Sequence, residues 1–123
     1  MEESRVAVIV DGDPVSRSYY EKVLEKYFTE VHKAKNDQEA QEIILSLESC
    51  QKNISLALVC RHAEDVAGKN ICRLIRNKNP KSRIIAVTAD VIRYKLENSI
   101  AEGFDGYLMK PSTIENILAF IPK

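Results

Sequence analysis

Side chains that can take part in chemical reactions or bind ions stand at the ends of four apolar segments of this 123-residue chain, or directly after them. Two carboxylates flank a glycine after the first segment, a thiol ends the second, a hydroxyl ends the third and an ammonium follows the fourth. They belong to Asp11, Gly12 and Asp13, to Cys60, to Thr88 and to Lys110. A carboxylate pair can bind a divalent cation or cap a helix, a thiol can be oxidised, and a lysine can neutralise an anion. Whether these groups act together depends on the elements that carry them.

Alternating strand and helix patterns carry these groups. Apolar runs rich in β-branched residues, such as Val6–Val10, are typical of strands buried on both faces. Strands are predicted over residues 6–10, 30–34, 55–60, 84–88 and 104–109. Amphipathic helices are predicted over about residues 14–28, after Asn36, around 71–75, around 91–100 and after Ser112. The alternation indicates one doubly wound α/β domain over residues 1–123, with a parallel sheet between two helical layers.

Capping residues set the predicted helix boundaries. Asp13 precedes Pro14, and proline suits the first position of a helix. The segments Asn36–Glu39 and Ser112–Glu115 have the spacing of capping boxes. Gly103 can end the fourth predicted helix in a left-handed conformation.

The predicted fold brings the polar groups to one place. In doubly wound sheets, functional groups lie in the crevice beyond the carboxyl ends of the strands. Asp11 and Asp13 follow the first strand, Cys60 ends the third, and Thr88 and Lys110 end the fourth and fifth. We therefore expect Cys60 in the middle of the crevice, with the carboxylates on one side and the lysine on the other.

Composition limits the kinds of partner. Lys plus Arg and Asp plus Glu both number 18, so neither nucleic acid nor an anionic membrane is predicted to bind. No apolar run reaches the ~20 residues of a membrane span, and the N-terminus lacks a signal-peptide pattern, so a cytoplasmic protein is predicted. The basic residues between Arg73 and Arg83 are interpreted as a solvated helix end or, alternatively, as an electrostatic docking patch.

The cysteines and histidines do not have the spacing of a metal centre. Cys50, Cys60 and Cys72 include no CxxC pair, and His32 and His62 stand alone. Reduced thiols are expected in a reducing compartment.

Four motifs, in order and correctly spaced, make the chain resemble the receiver domain of bacterial-type response regulators. They are Val-Asp-x-Asp-Pro at 10–14, an apolar third strand with Gly68 eight residues past its end, Ile-Ile-Ala-Val-Thr-Ala at 84–89, and Gly-Phe-Asp-Gly-Tyr-Leu-Met-Lys-Pro at 103–111. The resemblance covers essentially the whole chain. It implies a flavodoxin-like, three-layer sandwich with strand order 2-1-3-4-5, two helices on one face and three on the other. No enzymatic activity is expected.

The resemblance also implies roles for the crevice residues. In that family an acidic pair after the first strand binds a divalent cation, and an aspartate ending the third strand accepts a phosphoryl group. A threonine or serine and a lysine, ending the fourth and fifth strands, contact the phosphoryl group, and an aromatic residue three positions before the lysine reports the switch. These positions hold Thr88, Lys110 and Tyr107.

Two departures fall on the chemistry of the family. Cys60 stands at the phosphoacceptor position, and Gly12 stands where the second carboxylate usually binds the metal. Mg²⁺ prefers hard oxygen ligands, whereas glycine offers no side-chain oxygen and a thiol is soft. No metal and no other cofactor are therefore expected, although Asp11 and Asp13 remain, with Asp13 equally suited to cap a helix.

Cys60 and its neighbours allow several interpretations. Cys60 can be a small apolar filler, a reactive thiol favoured by Lys110 but disfavoured by the nearby carboxylates, or a phosphorylated sulfur, of which the last has the least support. Lys110 can simply pair with Asp11, and Tyr107 can be a half-buried strand aromatic rather than a switch.

The resemblance and its departures together predict a degenerate receiver that acts by phosphorylation-independent protein–protein contact in two-component signalling. The expected partner is a histidine kinase, regulator or adaptor that docks on the fourth predicted helix, where Arg93 and Tyr94 lie, the fifth strand and the last helix. The alternatives are a thiol-based redox sensor centred on Cys60 and a receiver phosphorylated by an unusual route. A free-standing adaptor and a domain of a longer regulator or hybrid kinase both agree with the sequence.

Overall fold

A single parallel sheet organises the chain, and the computed structural model describes residues 5–61, 68–89 and 103–121. The strands are β1 (Val6–Val10), β2 (Glu30–Ala34), β3 (Ile54–Cys60), β4 (Arg83–Thr88) and β5 (Gly106–Met109). The described helices are α1 (Pro14–Leu24), α2 (Asp37–Ser49), α3 (Gly68–Lys78) and α4 (Ile114–Leu118). The strand order is β2-β1-β3-β4-β5 and every pairing is parallel. The predicted fold class and strand order are confirmed.

Two apolar clusters, one on each face of the sheet, hold the layers together. Every residue of β1 is buried, and its alternate side chains point to opposite faces. Val6, Val8 and Val10 join the cluster formed with α2 and α3, whereas Ala7 and Ile9 join the cluster formed with α1 and α4. The uninterrupted apolar sequence of β1 therefore reflects burial on both faces. The predicted helix around residues 91–100 lies outside the described residues.

The first helix is shorter than predicted. It ends at Leu24 rather than near residue 28, because the chain turns over residues 25–27. Tyr27, which continues the helical spacing of the apolar residues, is 43% exposed. Phe28 is buried instead, and its backbone N–H donates to the Leu24 carbonyl. The periodicity extended the prediction by one turn because an apolar residue in a turn can also reach the core.

The last strand is also shorter than predicted. β5 begins at Gly106 instead of residue 104. Phe104 is buried in the core, and Asp105 contacts the start of β4 through side chain and backbone. The carboxylate of Asp105 accepts a hydrogen bond from the Ile84 N–H at 2.8 Å, so the chain approaches β4 before the regular ladder begins.

The caps of the first two helices agree with the sequence, and the cap of the last does not. The side chains of Asp13 and Asn36 accept backbone N–H groups of α1 and α2. The N-cap of α4 is Thr113, whose hydroxyl accepts from the Asn116 N–H, and not Ser112. Ser112 is buried and donates to the Met109 carbonyl, so it stabilises the end of β5. Gly103 has the expected left-handed φ of 101°.

Candidate functional site

The carboxyl ends of the strands bring Asp11, Cys60 and Lys110 together, as predicted. Asp11 directly follows β1, Cys60 is the last residue of β3, and Lys110 directly follows β5. Lys110 Nζ lies 2.9 Å from Asp11 Oδ2 and also interacts with the Cys60 side chain. The Lys110 backbone N–H donates to the Thr88 carbonyl at 2.8 Å, which fixes the end of β5 beside β4. The Lys110 side chain therefore spans the crevice from the end of β5, at the edge of the sheet, to the ends of β1 and β3 in its interior.

Asp11 is buried and contacts Lys110, Asp13 and Arg17. Its side chain is only 2% exposed, and the partner ammonium of Lys110 is 18% exposed. The second carboxylate oxygen of Asp11 accepts the Asp13 N–H at 2.9 Å. The Asp11 carbonyl accepts a hydrogen bond from Arg17 Nη1 on α1, also at 2.9 Å. Asp11 thus ties β1, α1 and β5 together, whatever else it does.

Asp13 serves as the N-cap of α1. One carboxylate oxygen accepts the Val15 N–H and the other accepts the Ser16 hydroxyl, each at 3.0 Å. These two hydrogen bonds, from Ser16 and then from Val15, stabilise the charged form and lower the pKa of Asp13 below its ordinary value. The capping role considered from the sequence is confirmed.

The environment of Lys110 keeps this side chain charged. Burial disfavours the ammonium, but the hydrogen bond to Asp11 and the nearby Cys60 outweigh that effect, so the pKa of Lys110 is raised above its ordinary value. The pairing of Lys110 with Asp11 considered from the sequence is confirmed.

Thr88 and Tyr107 have different surroundings. Thr88, the last residue of β4, is completely buried. Tyr107, in the middle of β5, is partly buried and packs against the cluster that joins the sheet to α2 and α3. This position agrees with the interpretation of Tyr107 as a half-buried aromatic residue of the strand.

Gly12 has no backbone reason to be glycine. Its φ lies outside the left-handed region that favours glycine. A Cβ atom built there would meet only the Lys35 carbonyl oxygen, at 3.5 Å, which is an ordinary van der Waals contact. A Cβ atom at this position is therefore sterically acceptable.

Arg61 is a feature of the site that the sequence did not reveal. It follows Cys60 and its side chain is 2% exposed. Arg61 Nη1 lies 3.4 Å from both carboxylate oxygens of Asp37, the first residue of α2. Its backbone N–H donates to the Val87 carbonyl at 2.8 Å. A charged side chain that follows a strand is normally exposed to solvent, so the burial of Arg61 was not expected. The only sequence feature that pointed to its partner was the acidic first turn of α2.

No cluster of three or more histidine, cysteine, aspartate and glutamate side chains with metal-binding geometry exists within the described ranges. In the same part of the chain, no helix is both long and apolar enough to cross a bilayer. All three cysteines are free thiols.

The sheet order and the polar groups at the carboxyl edge define a flavodoxin-like, doubly wound protein. The profile of the response regulator receiver domain matches residues 7–122, and the chain belongs to this family. It is therefore a receiver domain of two-component response regulators, a class of domain that interacts with other signalling proteins.

Solved receiver structures share the fold across the whole chain. A CheY-like receiver domain protein from Methanospirillum hungatei is 27% identical, with a TM-score of 0.70 over 96% of this chain and 90% of that one. A response regulator from Thermotoga maritima is 26% identical, with a TM-score of 0.69 over 94% and 92%. One from Burkholderia pseudomallei, solved with a phosphorylated aspartic acid, a calcium ion and citrate, is 22% identical, with a TM-score of 0.75 over 97% and 67%. Comparison with curated proteins found no match.

Proposed function

We propose that this domain is a degenerate receiver that works by protein–protein contact, independently of phosphorylation. The observation that carries the proposal is the ion pair between Lys110 and Asp11, 2.9 Å apart at the centre of the crevice. The pair neutralises the buried carboxylate with a cation supplied by the protein itself. The negative charge of Asp11 is therefore balanced without a bound ion.

The remaining donors do not fit a hard divalent cation. One oxygen of Asp11 contacts Lys110 and the other accepts the Asp13 N–H, while both oxygens of Asp13 cap α1. Gly12 supplies no side-chain oxygen, and the Cys60 sulfur is a soft ligand that Mg²⁺ does not favour. Phosphoryl transfer depends on metal ions and positive groups that neutralise charge developing on the phosphoryl oxygens. We therefore propose that the described residues of the crevice do not bind the metal ion on which this reaction depends.

Cys60 also replaces the acceptor. Its position at the carboxyl end of β3, between the groups that follow β1 and β5, corresponds to the phosphoacceptor position implied by the family resemblance. A thiol needs activation to the thiolate before it can attack a phosphoryl group. The ammonium of Lys110 favours a thiolate, whereas the buried carboxylate of Asp11 opposes a second anion nearby.

The signalling partner is proposed to be a histidine kinase, regulator or adaptor. The proposed docking face consists of the segment around residues 91–100, β5 and α4. Within the described part of this face, Met109 and Ile114 are 54% and 50% exposed. Exposed apolar side chains of this kind support a contact surface on β5 and α4.

Exposure to a small-molecule phosphodonor tests the proposal. The protein is incubated with acetyl phosphate and Mg²⁺, and its intact mass is measured before and after. We expect no change, because the proposal assigns no metal ion to the described residues of the crevice and a thiol, not a carboxylate, ends β3. A stable gain of one phosphate group would overturn the proposal and favour a receiver that is phosphorylated by an unusual route.

A redox sensor centred on Cys60 is the second candidate. The observation in its favour is the interaction of Lys110 with the Cys60 side chain, since a nearby cation promotes the reactive thiolate. Cys60 is also partly exposed, so small oxidants can reach it. Comparative thiol labelling tests this function, as argued in the Discussion.

A further inference from the structure

The amino edge of the sheet, opposite the crevice, carries two adjoining grooves. They meet at the turn between α3 and β4, and both are lined by Pro80, Lys81 and Ser82. The groove on the side of β5 has a volume of about 360 Å³, and the one on the side of β3 has about 300 Å³. The site proposed above uses neither groove.

The turn between the grooves is held by polar contacts, of which those that Asn79 and Ser82 make with Ile54 are buried. Asn79 accepts the Ile54 N–H at 2.7 Å, and the Ser82 hydroxyl donates to the Ile54 carbonyl. Arg76 donates to the Ser82 carbonyl at 2.6 Å and to the Asp105 carboxylate at 2.9 Å. A surface that is rigid before a partner arrives loses little conformational entropy on binding.

Two cations at the rim of the grooves lack a carboxylate partner. Arg76 pairs with Asp105, and Lys78 lies 3.7 Å from Glu48. Lys81 and Arg83 are exposed, and no carboxylate of the described residues lies within ion-pair distance of either. The turn therefore presents two uncompensated positive charges, one on each side of the buried Ser82.

The lining of the grooves is partly apolar. Ile85 and Phe120 line the first groove, Ile54 lines the second, and Pro80 belongs to both. We propose that these grooves bind an acidic peptide segment of a partner protein, with apolar side chains between its carboxylates. Its carboxylates would pair with Lys81 and Arg83, and its apolar side chains would cover the lining.

A peptide fits these features better than a nucleic acid or a bilayer. Nucleic-acid sites often neutralise about 6–10 phosphates, and lipid-binding clusters contain about 4–8 basic residues. Among the residues that the structure describes, two uncompensated cations line the grooves, and the chain carries no net charge. The grooves lie at the edge opposite Lys110 and Cys60, so this proposal goes beyond the proposed function and does not depend on it.

Fluorescence anisotropy with labelled synthetic peptides tests the proposal. The probe is a short peptide in which glutamate alternates with leucine and phenylalanine, and the matched peptide has glutamine in place of glutamate. We expect the acidic peptide to bind saturably and the glutamine peptide not to bind. The Lys81→Glu/Arg83→Glu variant should bind it about tenfold more weakly or worse, which corresponds to about 1.4 kcal/mol.

A matched charge reversal separates a local site from general electrostatics. Lys22 and Lys26 are exposed near the end of α1, and the strands that α1 contacts most are β1 and β2, whereas the grooves lie beside β3, β4 and β5. The Lys22→Glu/Lys26→Glu variant should bind the acidic peptide within about twofold of the unaltered protein. If Lys81→Glu/Arg83→Glu does not fold, as judged by circular dichroism, Lys81→Gln/Arg83→Gln takes its place.

Three results would overturn the proposal. The first is the absence of saturable binding of the acidic peptide to the unaltered protein, and the second is equal weakening by the two charge-reversal variants. The third is tighter binding of an oligonucleotide or of anionic phospholipid vesicles that depends on Lys81 and Arg83, which would assign the grooves to phosphate groups instead.

Discussion

At the scale of single residues, Lys110 determines the character of the crevice. Its ammonium pairs with a carboxylate that is almost fully buried. Removing one partner of a buried ion pair leaves an uncompensated charge, whereas removing both is far less costly. The pair is therefore expected to stabilise the fold, which gives both residues a structural role.

A double-mutant cycle tests that role. We expect Lys110→Met to lower the free energy of unfolding by about 3 kcal/mol, because the Asp11 carboxylate stays buried without its partner. Combining it with Asp11→Asn should cost less than the sum of the two single changes. Urea denaturation of the four proteins measures this coupling, and strictly additive losses would contradict the ion pair.

The same pair predicts a dependence of stability on alkaline pH. The folded-state pKa of Lys110 is raised above its ordinary value of 10.5, so the unfolded chain releases this proton first as the pH rises. The stability from the pair is complete below pH 10.5 and is lost as pH rises through the folded-state pKa. The difference in unfolding free energy between the unaltered protein and Lys110→Met should therefore be constant near neutral pH and shrink above about pH 10.5. A difference that grows with pH would contradict the assignment.

Thiol labelling distinguishes the redox sensor from the degenerate receiver. Cys50 is exposed, Cys60 is partly exposed and Cys72 is buried. Access to each thiol, rather than activation by Lys110, should set the order of labelling. We expect labelling by a maleimide, read by peptide mass, to proceed at Cys50 before Cys60 and at Cys72 last. Labelling of Cys60 well before Cys50, lost in Lys110→Ala, would make the sensor the better account.

The crevice shows which residue-level features a sequence can reveal. The meeting of Asp11, Cys60 and Lys110 follows from strand order alone, because parallel strands end at one edge of the sheet. The burial of Arg61 and its contact with Asp37 depend on how α2 packs over the sheet, and local sequence does not encode that geometry.

At the scale of elements, one buried amide is a main contact of the turn between α3 and β4. Asn79 accepts the Ile54 N–H and donates to the Ile75 carbonyl, so it joins β3 to the end of α3. We expect Asn79→Ala to lower the free energy of unfolding by about 2 kcal/mol, because the Ile54 N–H would be left buried without a partner.

The control for this variant lies two residues earlier, in the last turn of α3. Asn77 is exposed near the end of α3, and Asn77→Ala should change stability by no more than about 0.5 kcal/mol. Chemical denaturation of both variants gives the comparison. Equal losses would mean that the contacts of Asn79 do not hold the turn.

Element boundaries were less predictable than element types. The apolar strands and the caps at Asp13 and Asn36 were predicted because their signals are local. The predicted end of α1 and the predicted cap of α4 were wrong because tertiary contacts determine both positions. Phe28 reaches the core from a turn, and Ser112 bonds to the end of β5 instead of capping the helix that follows.

At the scale of the whole molecule, the two edges of the sheet have separate proposed roles. The crevice in which Lys110 pairs with Asp11 lies at the carboxyl edge, and the turn between the two grooves lies at the amino edge. A partner bound at the amino edge would not compete with events at Cys60. This separation suits an interaction module whose binding does not wait for phosphorylation.

Placing carboxylates at positions 12 and 60 tests the central proposal most directly. A Cβ atom is sterically acceptable at position 12, and Cys60→Asp places a carboxylate at the end of β3. The unaltered protein and the Gly12→Asp/Cys60→Asp variant are incubated side by side with acetyl phosphate and Mg²⁺, and their intact masses are measured. The account predicts a gain of one phosphate group in the variant and none in the unaltered protein. A phosphate gain in the unaltered protein, or none in a correctly folded variant, would contradict it.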